Sequence, residues 1–149
     1  MKALKLLPLA LIALALTLPG SVVAGDFDYG THKVVYHVNY DDQGRQTGML
    51  RNIQNHINAV GADNMDVKVV MHGNGLSLLA HALENENLKG SIDNLKMQNV
   101  DFQVCANTVR GRGYDIENDL YDASEADIIP SGVAHISWLQ QQGYTYSKP

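Results

Sequence analysis

Residues 102–113, FQVCANTVRGRG, hold the only cysteine of a 149-residue chain. The thiolate, not the thiol, is the nucleophile. Cys105 stands where a short apolar alternation stops, ahead of Arg110 and Arg112. At a strand end just before a helix or turn, a cysteine faces unpaired backbone N–H groups and the positive end of a helix dipole. Those groups, with the two arginines, lower a thiol pKa. Cys105 is therefore expected to be accessible and to ionise below the ordinary value of about 8.5. The alternative is an inert, small apolar core residue following Phe102 and Val104. With no second cysteine, an internal disulfide and a Cys-X-X-Cys dithiol are both excluded.

Two further stretches carry candidate chemistry. In His72-Gly73-Asn74-Gly75, the histidine could exchange a proton with Cys105; the competing reading is a loop histidine bonded to backbone. Gly73, Asn74 and Gly75 are glycine-rich enough to cradle an anion through N–H groups, although the stretch is neither G-x-G-x-x-G nor a Walker loop. In Pro130-Ser131-Gly132, Ser131 reads first as a helix N-cap. Ser131, Asn107, Arg110 and Arg112 complete the candidate anion-binding set. No His-x-x-x-His pair exists, His32 and His37 fall on opposite faces of a strand, and His56, His81 and His135 lie on separate helices. No local motif supports a metal, and no cofactor is implied. Asp41-Asp42 reads as a solvated turn ahead of a cation site.

The elements that must position these residues are strands and helices in alternation. Residues 33–39 (KVVYHVN) are β-branched and aromatic, hence a buried strand. Met49, Leu50, Ile53, Ile57 and Val60 recur at helical spacing, giving a helix over about 46–60 that ends at Gly61. A second strand covers 66–73, a short helix 76–83 and another about 88–98. The third strand ends at Cys105. An acidic, weakly helical stretch at 116–123 precedes a short strand at 126–132, a helix at 133–142 and a strand-like tail. This alternation implies a parallel sheet covered on both faces. Ligands bind at the carboxyl ends of such strands, and HGNG, CANT and PSG all fall there.

Residues 1–24 read as a secretory signal: Lys2 and Lys5, an apolar run from Leu6 to Leu18, and a small-residue site ending at Ala24. Cleavage there leaves residues 25–149 as one domain, exported to the periplasm and free of the membrane. Of 11 Lys+Arg two lie in the signal, so the mature chain sets 9 against 16 Asp+Glu, a net charge of −7. That balance disfavours nucleic-acid partners.

Over most of 33–149, at HVNYDD, VVMHGNG, DFQVCANTVRGRGYD and DIIPSGVAHISWLQQQGYTYSKP, the chain resembles the DsrE/DsrF-like family of small sulfur-handling proteins, most closely its exported members. The resemblance implies a three-layer α/β/α sandwich with a five-stranded parallel sheet in the order 4-3-2-1-5. It places Cys105 at the position of a cysteine that carries sulfane sulfur as a persulfide. It further implies a relay function more than a turnover enzyme, a trimer or hexamer, and a partner that is a sulfur donor or acceptor protein or a small sulfur compound. Trp138, Tyr144 and Tyr146 are interface candidates, or caps of the domain's own core. The competing function is a non-enzymatic oligomer that binds a small ligand or anion at the same loops, with Cys105 structural.

Overall fold

The computed structural model describes residues 27–149; the expected signal segment lies outside them. Five strands, β1 (His32–Val38), β2 (Met65–Met71), β3 (Val100–Cys105), β4 (Ile128–Ile129) and β5 (Thr145–Ser147), form one sheet in the order β4-β3-β2-β1-β5. Every pairing is parallel. The fold is therefore the expected α/β sandwich.

Side-chain alternation divides the sheet into two faces. Val34, Tyr36, Val38, Val67, Val69, Met71, Phe102 and Val104 face the larger core. Three helices supply its other wall: α1 (Gln43–Val60), α2 (Ser77–Ala82) and α3 (Glu86–Lys96). Val35 and Val70 face the other way, against Ile136 and Leu139 of a single helix, here α6 (Gly132–Gln141). Two short helices, α4 (Ala106–Arg112) and α5 (Ile116–Asp119), lie in chain order between α3 and α6. Helix α1 starts three residues before its apolar spacing suggests, because the Asp42 carboxylate accepts the Arg45 N–H at 2.9 Å. Asp41 bonds His81 Nε2 at 2.8 Å. The Asp41-Asp42 pair thus serves a cap and a surface contact.

Helix α4 is absent from the sequence reading, which leaves 106–113 as a loop. It is seven residues long and closes at Gly113 in the left-handed region, φ 69°. The acidic helix at 116–123 contracts to one turn, because Leu120 leaves the helix in an extended conformation to enter the core. The HGNG loop continues as a 3₁₀ turn, Gly73–Leu76, into α2. Among the described residues no helix is long and apolar enough to cross a membrane.

Candidate functional site

The carboxyl ends of β1, β2 and β3 set side chains side by side. Met71 pairs with Val104 in register, so the next residues, His72 and Cys105, are neighbours across the sheet. Both face the α6 side, opposite to Met71 and Val104.

Cys105 is 4 % exposed. The expectation of an accessible thiol is corrected: the segment from β4 into α6 crosses over it. Gly132 N–H donates to Cys105 Sγ at 3.2 Å. That N–H belongs to the first residue of α6, where helix donors lack internal partners. Ser131 occupies the N-cap position but makes no capping bond with its side chain. The cysteine sulfur takes that place, which corrects the serine-cap reading. Cys105 is also the N-cap residue of α4. The sulfur thus sits at the start of two helices. Burial pushes the thiol pKa up, but N–H of Gly132, hydroxyl and N–H of Thr108, and N–H of Asn107 outweigh it, and the net shift is downward.

Arg110 and Arg112 do not supply this effect as the sequence suggests. Both lie in the last turn of α4, at the far end of the helix from Cys105. Arg110 donates to Asn107 Oδ1 at 2.6 Å, and Arg112 donates to Asn74 Oδ1. The Arg112 bond ties α4 to the HGNG loop. Gly73 N–H reinforces the tie by donating to Thr108 Oγ1 at 2.8 Å. Gly73 has φ +55°, a left-handed backbone suited to glycine. Gly75 lies against the β1 backbone and donates its N–H to the His72 carbonyl at 2.9 Å.

His72 bonds neither Cys105 nor, through its ring, the backbone. Its Nε2 meets His37 Nε2 at 2.7 Å, and the two rings stack at 22° with centroids 4.7 Å apart. His37 Nδ1 in turn meets the Tyr146 hydroxyl at 2.7 Å. Burial, then His72, then Lys148 hold the His37 pKa down to about 4. Burial and then Lys148 lower that of His72. The His72 side chain also packs against Gly132, where an added Cβ would lie 2.8 Å from His72 Cβ. Gly132 therefore stands between the sulfur and the imidazole, with room for no side chain.

Sequence reading missed Thr108, Gly132, His37 and Tyr146 as members of this site. Thr108 follows Cys105 by one helical turn, a spacing visible once α4 is recognised. The other three arrive from strands and helices distant in the chain. Among the described residues, no three His, Cys, Asp or Glu side chains converge to hold a metal.

A family model described as DsrE/DsrF-like family matches residues 32–148. No curated protein matches. Among solved structures, the protein of unknown function MTH1491 from Methanobacterium thermoautotrophicum is similar, with 30% sequence identity and a TM-score of 0.68. The match covers 79% of this chain and 99% of that one.

Proposed function

The chain belongs to the DsrE/DsrF-like family, and on that premise we propose that it carries sulfane sulfur as a persulfide on Cys105. The observation that carries this reading is the sulfur's seat at the start of α4 and α6, where N–H groups lower its pKa. The Cys105 thiolate attacks the sulfane sulfur of a donor. A new S–S bond forms, the donor's own bond to that sulfur breaks, and its electron pair leaves with the remainder as sulfite or a shortened polysulfide. The same N–H groups then hold the terminal persulfide anion. Burial keeps it from water and from other thiols. The acceptor is a second sulfur compound or a partner protein.

The setting of this chemistry is the periplasm, on the strength of the signal pattern in residues 1–24. The assembly is a homo-oligomer, trimer or hexamer. Supporting it are Val133 and Trp138, 66% and 51% exposed on α6, beside a shallow apolar groove of Pro130, Ala134 and Trp138. Light scattering on residues 25–149 under reducing conditions is expected to give a mass three or six times that of one chain. A single-chain mass throughout the micromolar range removes the assembly claim.

A second reading, an anion-binding module with a structural cysteine, draws on the near-complete burial of Cys105. Alkylation by iodoacetamide in the native state separates the two. Thiolate is the reacting species, so the rate rises with pH through the thiol pKa. For a carrier the midpoint falls below the ordinary value of about 8.5, because the folded site favours the anion. A thiol alkylated only after denaturation establishes the structural reading.

A further inference from the structure

Cys105 and its neighbours occupy the carboxyl end of the sheet. A second cluster of ionisable side chains begins at the opposite end of β1, on the face that packs against α1. His32, Val34 and Tyr36 share that face by strand alternation. We propose that His32, His56 and Tyr36 form an acid-released latch that fastens residues 27–31, the segment leading into β1, to helix α1. The latch is independent of the carrier reading of Cys105.

Three contacts make the latch. His32 Nδ1 meets His56 Nε2 at 2.8 Å, His56 Nδ1 meets the Tyr36 hydroxyl at 2.9 Å, and His32 Nε2 meets the Tyr29 carbonyl at 3.0 Å. The Tyr29 ring stands edge-on to His32 with centroids 6.1 Å apart, and Phe27 packs on Tyr29 at 4.8 Å. Phe27 is 72% and Tyr29 49% exposed, so apolar burial contributes little to holding the segment. The Asp28 carboxylate is engaged within the segment itself, accepting the Gly30 N–H at 2.9 Å.

With both rings neutral, the hydrogens of this cluster have one arrangement. A carbonyl only accepts, so the hydrogen of His32 is on Nε2. His32 Nδ1 therefore accepts, and His56 Nε2–H donates to it. His56 Nδ1 is left to accept from the Tyr36 hydroxyl. While the His32–His56 bond is kept, a proton added to either ring puts an N–H at His56 Nδ1, facing Tyr36. The Tyr36 hydroxyl, on a side chain only 4% exposed, must then turn from donor to acceptor, and the Ser147 hydroxyl that bonds it must turn as well. A second proton sets two N–H groups against each other at the His32–His56 contact, which no arrangement satisfies. The titratable groups facing His56 are His32 and Tyr36 from β1, with Tyr29 beyond His32. One turn away within α1 stand Asn52, Ile53, Ala59 and Val60, and Met65 of β2 lies opposite His32; none carries a charge. Neither ring bonds a carboxylate among the described residues, so the closed latch offers an imidazolium no counter-charge. Burial and then His32 lower the His56 pKa from its ordinary 6.5. A histidine with a lowered pKa in the closed state takes its proton more readily in the open one. The latch therefore holds above about pH 6.5 and loosens as pH falls below it.

Nuclear magnetic resonance of the protein at about pH 7.5 and about pH 5, on either side of histidine titration, is the test. In wild type the through-space contact between the His32 and His56 rings is expected at the higher pH and is lost at the lower, with a midpoint below about 6.5. Amide exchange over residues 28–32, corrected for its intrinsic dependence on pH, is expected to quicken over the same range while β2 and β3 keep their protection. His56→Ala is expected to exchange fast in this segment at both pH values, with no acid step. If His56→Ala fails to fold, His32→Ala takes its place, because it trims a half-buried side chain at the first residue of β1. Should neither variant fold, the wild-type ring contact decides alone. A wild type whose ring contact and exchange are the same at both pH values overturns the latch. So does an acid step that survives in the variant, or one that spreads equally to β2 and β3, which marks general acid unfolding.

Discussion

Incubated with polysulfide, the wild-type protein is expected to gain one sulfur atom, roughly 32 Da, on its single thiolate, and Cys105→Ser to gain none. Reductant returns the wild-type mass to its starting value. The effect is all-or-none because the described residues contain one thiol. The serine hydroxyl still offers Gly132 N–H an acceptor where Sγ now sits. The variant is therefore expected to fold, so loss of uptake reports lost chemistry. If Cys105→Ser gains the same mass, the adduct lies elsewhere and persulfide formation at this site is wrong.

Gly75→Ala is expected to destabilise the fold by about 3 kcal/mol or more, at the top of the overpacking range. An added Cβ would lie 1.9 Å from the Val38 carbonyl oxygen and 2.4 Å from its carbon. The obstacle is backbone at the carboxyl end of β1, an interior strand, which no rotamer change relieves. His72 N–H also donates to that carbonyl, at 3.1 Å, so any shift that admits the methyl loosens the histidine. Thermal unfolding checks this; a fall in Tm of roughly 10 °C or more is expected. Gly90→Ala is the control of opposite sign. Gly90 is exposed within α3 with nothing near its added Cβ, and the change stabilises by about 0.5–1 kcal/mol. Equal melting of Gly75→Ala and wild type defeats the close-approach argument.

The sheet was legible because its strands announce themselves locally. The β-branched run in 33–39 and the alternation ending at Cys105 need no tertiary information, and α1 shows its apolar stripe at helical spacing. The strand order came with the family resemblance. Helix α4 was hidden because Asn107, Thr108, Gly111 and Gly113 have turn chemistry, while packing of Val109 and the cap at Gly113 decide for helix. The arginines misled for a related reason. Proximity in sequence put them near Cys105, whereas a helical rise carries them to its opposite end. The His37–His72 contact joins residues 35 apart, and only strand adjacency with matching side-chain parity brings them together. Both facts were within reach once strands 1 and 2 were neighbours. Ser131 has the right residue type and position for a cap, but the sulfur of a distant residue took the donor.

The clamp on Cys105 hangs from the thinnest part of the sheet. β4 consists of Ile128 and Ile129, an edge pair registered against Val104 and Cys105, and the clamping N–H follows three residues later. Edge elements with so few bonds open at a fraction of the free energy needed to unfold the whole domain. Peeling β4 away lifts Gly132 off the sulfur while the central strands stay paired. On the carrier reading proposed above, exposure of the thiol would then be a local fraying equilibrium, and a partner that captured the frayed edge would gain the sulfur without melting the protein that carries it.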